Sequence, residues 1–383
     1  MRTKSKKAIS DTEFFPFTIG MIQLVKRFIF PALILGAILT SCGTYKSRIA
    51  WTNGPAGSQT LNVHSIPIIK LNKLILIKGQ ANGVFGYFIL DTGAPGLVLN
   101  EAYFNGHGIS PKRMVTGVNG QVHEAMMTEV YDLKLGEVRF TYQLADVIDL
   151  SHIERLRKVK ILGLLGVNLF KGVELEIDVQ KHRMRIFKVN KEGGRINGPN
   201  AGSNPELISM PFTFSGHLIE LEAKINNKPC RIAFDSGSEV LLLDKNMVDK
   251  EHIYTGLLSN QTLLSTDGEQ PTVEVRKLDS ILVGLNLKNI KTVLTDFNKM
   301  RSLSFRVNGL IGYDLMAAGV ITINLNTRVL RIAPYNVDPN TPVAQAFISE
   351  SKLPLRSVAT RATEDGPTVP RVESSNFDSH NRF

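Results

Sequence analysis

An all-β fold made of two copies of one lobe is what this sequence predicts, on three observations. Phe88-Ile89-Leu90-Asp91-Thr92-Gly93-Ala94 is answered by Ile232-Ala233-Phe234-Asp235-Ser236-Gly237-Ser238, an apolar run that ends in Asp-Thr/Ser-Gly both times. The agreement continues: Leu97-Val98-Leu99-Asn100 matches Leu241-Leu242-Leu243-Asp244, and Ile161-Leu162-Gly163-Leu164-Leu165-Gly166 matches Val307-Asn308-Gly309-Leu310-Ile311-Gly312. Asp91 to Gly163 is 72 residues and Asp235 to Gly309 is 74, a shared ruler that marks a duplicated lobe. Strand signals dominate elsewhere, and helical periodicity shows only weakly, around Ser151 to Lys160.

Taken in order, the chain opens with a basic flank, Lys26-Arg27, followed by the apolar run from Phe28 to Leu39 and then Thr40-Ser41-Cys42. Basic flank, short apolar core and small residues describe an export signal over residues 1–41, with a core too short to span a bilayer comfortably. Leu39-Thr40-Ser41-Cys42 resembles a bacterial lipobox, which implies cleavage before Cys42 and acyl chains on its sulfur that hold the protein to a membrane. Met21 is an alternative start. Residues 42–62 read as a polar tether.

The first lobe is expected over residues 63–190. Asn82-Gly83, between Leu74-Ile75-Leu76-Ile77 and Tyr87-Phe88-Ile89-Leu90, predicts a hairpin whose return strand delivers Asp91. The second lobe, residues 206–335, repeats the device: an alternating strand from Leu218 to Ile225 turns at Asn226-Asn227 and returns to Asp235. Downstream of each acid a second turn sits between extended residues, Asn119-Gly120 in one half and Asp267-Gly268 in the other, and these are candidate flap tips. Residues 191–205, rich in Gly, Asn and Pro, form the predicted linker, and residues 336–383 a disordered polar tail.

Composition narrows the function. The 383 residues carry a formal charge of +10, of which the export segment and tail leave about +7 on the body, with no Lys/Arg run interleaved with aromatics, so nucleic acid is not an expected partner. Two cysteines exclude a disulfide framework, and Cys230 suits packing in a strand. Eight histidines have no metal-ligand spacing, and neither a Gly-x-Ser-x-Gly elbow nor a phosphate-binding Gly-Lys-Ser/Thr is present.

The doubled acid carries the chemistry. Two carboxyls brought face to face cannot both ionise comfortably and divide one proton between an acid and a base. Gly93 and Gly237 let the backbone turn sharply beside them. Over residues 64–335 the pattern resembles the aspartic peptidases, the superfamily of pepsin and the retropepsins. The resemblance implies two β-barrel lobes related by a pseudo-twofold axis, and catalysis by Asp91 and Asp235 through a shared water, without cofactor or metal. It also implies loop support from Thr92, Gly93, Ala94, Ser236, Gly237 and Ser238, whose hydroxyls lock the loops, and support beneath them from Gly163, Gly166, Gly309 and Gly312. Ser238 is expected to donate to the Asp235 carboxylate, a donor that Ala94 cannot supply to Asp91. Neither flap carries the tyrosine of the pepsins, there are two candidate flaps, and no cysteines are paired, so the chain looks closer to a retropepsin dimer fused into one polypeptide. A two-lobed monomeric endopeptidase cutting polypeptide substrates at the bacterial cell envelope, facing the periplasm or exterior, is the expectation. A lipid-anchored peptide-binding scaffold with the same fold is the alternative.

Overall fold

The computed structural model describes residues 48–50, 63–104, 108–116, 122–196, 207–250, 253, 255–262, 272–298, 301 and 305–335. Cys42, the tips Asn119, Gly120, Asp267 and Gly268, residues 197–205 of the expected linker, and the tail lie outside them.

Each lobe closes a six-stranded ring. In the first the order is Leu74–Ala81, Val84–Leu90, Ile161–Leu165, Leu97–Asn100, Val138–Ile148 and Val122–Leu135, which returns to Leu74–Ala81. The second follows the same order with Leu218–Ile225, Lys228–Phe234, Gly309–Ile311, Leu241–Asp244, Leu285–Thr295 and Thr272–Val283. Closure removes open strand edges from the ring.

The hairpins entering the acid loops form as their turn residues dictate. Asn82 and Gly83 sit at φ 46° and 84°, and Asn226 and Asn227 at 49° and 65°. Such consecutive left-handed residues give the turn that matches strand twist. Past the turn, strands in both lobes are buried on both faces near the acids, as in Leu97–Asn100 and Leu241–Asp244, which is why they read as unbroken apolar runs. Leu74, Ile89, Val98 and Leu164 pack in one cluster and their repeat mates Leu218, Ala233, Leu242 and Leu310 in another. Repetition in sequence is thus repetition in the core.

Three strands from each half build a further sheet, in the order Ile208–Pro211, Val329–Pro334, Gly319–Asn324, Val173–Asp178, Arg183–Lys188 and Val63–Pro67. The lobes join where Val173–Asp178 pairs with Gly319–Asn324. Glu174, 2% exposed, accepts from Arg195, Asn324 and Arg331 across that seam, so a buried carboxylate is neutralised by groups of both halves. Arg195 belongs to the start of the expected linker, and the Val189–Arg195 bridge ties that stretch to the first lobe. The two lobes are consequently joined into one compact unit.

The weak helical signal corresponds to a helix at Ser151–Arg157. Inside the expected tether, Arg48–Ala50 pairs with Arg139–Thr141 of the first lobe. The candidate flap hairpins have antiparallel arms, with Thr116 opposite Val122 and Thr262 opposite Thr272. No helix among the described residues is long and apolar enough to cross a membrane.

Candidate active site

Val84–Leu90 and Lys228–Phe234 run to the centre of the molecule and stop, presenting Asp91 and Asp235, each 1% exposed. A third strand lies parallel to each and carries its pairing up to the acid, where a turn ends it. The Asp91 amide donates to the Leu165 carbonyl at 3.0 Å and the Asp235 amide to Ile311 at 2.9 Å, while Ala94 and Ser238 turn back onto the carbonyls of the two acids.

The glycines of that third strand are required by contact. A side-chain carbon on Gly163 would stand 1.9 Å from the Val98 carbonyl oxygen, and one on Gly309 2.4 Å from that of Leu242. At Gly166 it would meet the Ala94 carbonyl at 2.5 Å, and at Gly312 the Ser238 carbonyl at 2.5 Å. These pairs are repeat mates, so each glycine holds the same station beneath its own acid loop.

The loops are locked to each other by hydroxyls. Thr92 Oγ1 accepts from the Ser236 amide (2.9 Å) and donates to the Phe234 carbonyl (3.2 Å). Ser236 Oγ accepts from the Thr92 amide (3.0 Å) and donates to the Leu90 carbonyl (2.9 Å). Each hydroxyl spends both functions on the opposite lobe, so neither is available as a nucleophile.

Within this frame the carboxyls of Asp91 and Asp235 stand close enough to share one backbone donor. Gly237 N–H donates to Asp235 Oδ1 at 2.9 Å, and Gly93 N–H donates to Asp91 Oδ1 at 2.9 Å and Asp235 Oδ1 at 3.2 Å. Asp235 therefore receives amides from both loops. Burial raises its pKa to about 6, with the hydrogen bonds from Asp91, Gly237 and Gly93 opposing. Burial, then the charge on Asp235, pushes Asp91 well above the carboxylate range. Two buried carboxyls this close titrate as a pair and hold one proton between them once the first is lost.

One expected contact does not form. The Ser238 hydroxyl donates to the Val240 carbonyl at 2.8 Å instead of to the Asp235 carboxylate, because the loop bend carries it away from the acid and its single proton is taken. The amides of Gly93 and Gly237 supply what Ser238 does not.

Residues that the sequence reading passed over also reach this region. His217 Nε2 lies 2.6 Å from the Gly93 carbonyl oxygen, and Lys73 Nζ lies 3.2 Å from Asp314 Oδ1. Arg157 pairs with Glu239, four residues beyond Asp235. Their one sequence signal is the repeat itself, since Lys73 and His217 each stand 18 residues before an acid. Cys230 is 8% exposed, and burial raises its thiol pKa to about 12, which leaves it inert. Among the described residues no cluster of His, Cys, Asp or Glu could hold a metal ion.

A family model described as aspartyl protease matches the chain twice, over residues 77–169 and 221–315, once per lobe with an acid in each match. Solved structures similar to the chain include basic 7S globulin from soybean (9% identity, TM-score 0.42, covering 71% of this chain and 94% of that one). Another is edgp (10% identity, TM-score 0.43, covering 74% and 97%). No curated protein sequence matches the chain.

Proposed function

Because this chain belongs to the aspartic peptidase superfamily, we propose that it is an aspartic endopeptidase in which Asp91 and Asp235 hydrolyse peptide bonds with a water lodged between them. The observation that carries the reading is the buried acid pair, its two carboxyls sharing the Gly93 amide and held by the crossed hydroxyls of Thr92 and Ser236. Ionised Asp235 is placed to take a proton from the water. Protonated Asp91 is placed to donate to the carbonyl oxygen of the scissile peptide. Water oxygen bonds to the carbonyl carbon to give a gem-diol; its C–N bond then breaks as the nitrogen takes the proton now on Asp235 and a gem-diol hydroxyl returns a proton to Asp91, leaving an amine, a carboxylic acid and the pair as it began. No covalent intermediate forms.

Incubation of a denatured protein substrate from pH 4 to 9 with wild type, Asp91→Asn and Asp235→Asn tests this reading. Cleavage by the wild type alone is expected, rising on the acid side near pH 6 where Asp235 ionises. Equal cleavage by all three would overturn the enzyme reading, and saturable peptide binding without cleavage would favour a scaffold that keeps the fold.

The same proposal places the enzyme on the bacterial cell envelope as a lipoprotein, from Lys26-Arg27, the apolar run and Leu39-Thr40-Ser41-Cys42. Palmitate labelling of the expressed chain, lost in Cys42→Ala together with membrane association, is the expected outcome. Unchanged partitioning of that variant would reject the anchor.

A further inference from the structure

We propose that His217 is a positioning residue that acts on the first acid through the peptide group between Gly93 and Ala94. The inference deepens the peptidase reading but rests on geometry that stands without it.

His217 occupies the turn between Thr213–Ser215 and Leu218–Ile225 of the second lobe. The turn is set by Gly216 at φ 64°, and the ring of Phe305 packs against the imidazole edge-on with centroids 5.7 Å apart. A side-chain carbon at Gly216 would lie 2.7 Å from the Phe305 ring, so little play remains. From there the imidazole crosses to the first lobe and puts Nε2 2.6 Å from the carbonyl oxygen of Gly93. A carbonyl oxygen only accepts, so Nε2 carries the proton and the ring is the Nε2–H tautomer. Burial lowers the imidazole pKa to about 4, so the ring stays neutral where the acid pair holds one proton.

The Gly93 carbonyl and the Ala94 N–H are two ends of one peptide group. That N–H donates to the backbone carbonyl of Asp91 at 3.1 Å and closes the turn that carries the acid. A donor on the carbonyl end polarises the amide end and strengthens what it donates. His217 thus tightens the turn that carries Asp91 and fixes the segment whose Gly93 amide donates to both carboxyls, a bond that lowers the proton affinity of Asp91.

The repeat argues that this contact is not a by-product of duplication. Lys73 holds the equivalent station in the first lobe, after Asn72 at φ 56°, yet it pairs with Asp314 while lying over the Tyr313 ring. Lys73 therefore does not give the second acid loop what His217 gives the first. The nearby elements carry Asp91, Asp235 and Arg306, and Glu220, Glu222 and Lys224 on the strand that follows, while the imidazole pKa is set by burial and then by the bond to the Gly93 carbonyl.

The test uses the full chain with carbon-13 label in the aspartate carboxyls, comparing wild type, His217→Phe, which keeps a ring against Phe305 but removes the donor, and His217→Gln, which restores an N–H at similar reach. The expected result is an upward shift of the Asp91 titration in His217→Phe, about tenfold lower kcat at unchanged KM, and recovery of both in His217→Gln. A folded His217→Phe with wild-type titration would overturn the proposal, as would equal shifts in both variants, which would assign the effect to ring volume. Nitrogen-15 spectra of the wild-type imidazole give a check that needs no variant: protonation on Nδ1 instead of Nε2 would overturn it too. The titration and tautomer are read whether or not the protein cleaves peptides, so failure here and failure of the peptidase reading are separate results.

Discussion

Arg157 of the first lobe and Glu239 of the second form an ion pair whose side chains are 2% and 5% exposed, so a guanidinium and a carboxyl meet inside the molecule beside the second acid loop. The pair is not cheap. Burial raises the Glu239 pKa to about 7 even though Arg157 and Lys73 oppose the shift, and burial lowers that of Arg157. Desolvation outweighs attraction here, the usual balance for a buried pair.

Removing one partner should therefore cost more than removing both. Arg157→Met strands a buried carboxylate and is expected to lose about 3–5 kcal/mol of unfolding free energy at pH 8. Arg157→Met with Glu239→Met should recover most of it. Urea denaturation of the single and double variants measures the difference, and additive losses would show that the pair is not desolvated as described.

Stability should respond to pH through the acid pair. Asp235 has a folded pKa of about 6, raised by burial above its unfolded value near 4, so the folded state binds its proton more tightly. That contribution is fully present below about pH 4 and lost as pH rises through about 6, a span worth about 3 kcal/mol. His217 works the other way, since its lowered pKa makes folding less favourable as pH falls toward 4. The comparison that isolates the acid is wild type against Asp235→Asn. Relative to wild type the variant is expected to gain stability between pH 4.5 and 7.5, and a difference independent of pH in chemical denaturation would contradict the burial assigned to Asp235.

Contact at the glycines gives a sharper structural test. Gly163→Ala drives a methyl to 1.9 Å from the Val98 carbonyl oxygen, where only backbone movement relieves it, whereas the same change at Gly96 meets nothing within 4 Å. Gly163→Ala should destabilise by at least about 3 kcal/mol. Gly96→Ala should leave stability within about 1 kcal/mol of wild type. Similar melting temperatures for both would mean that the Ile161–Leu165 strand does not run beneath the first acid loop as placed.

Much of this site is legible in the sequence because its parts are local and repeated. An apolar strand, an Asp-Thr/Ser-Gly loop and a later apolar-Gly strand each occupy a few consecutive residues, and duplication makes each visible twice. The groups that cross between lobes are not legible that way. His217 reaches Gly93 over 124 residues, Arg157 reaches Glu239 over 82 and Lys73 reaches Asp314 over 241, and no spacing rule links positions so far apart. Ser238 shows the opposite limit: adjacency to an acid loop suggests a bond to Asp235, but the direction of the hydroxyl is set by the bend that follows it.

The crossed hydroxyls of Thr92 and Ser236 should behave as one device. Thr92→Val leaves the Ser236 amide without its acceptor and the Phe234 carbonyl without its donor, and Ser236→Ala does the same to Thr92 and Leu90. Each variant strands buried backbone groups, at a cost of about 1–3 kcal/mol for each group left unpaired. Once one arm is gone the loops are free to shift, and the other arm loses its geometry. The double variant should therefore cost less than the summed single losses by about 1 kcal/mol or more. Proteolytic activity should follow the same non-additive pattern, because both arms hold the same two carboxyls in register. A double-mutant cycle in thermal or chemical unfolding reads the coupling directly. A coupling of zero would mean that each hydroxyl serves only its own neighbours and that the acids are held together by something else.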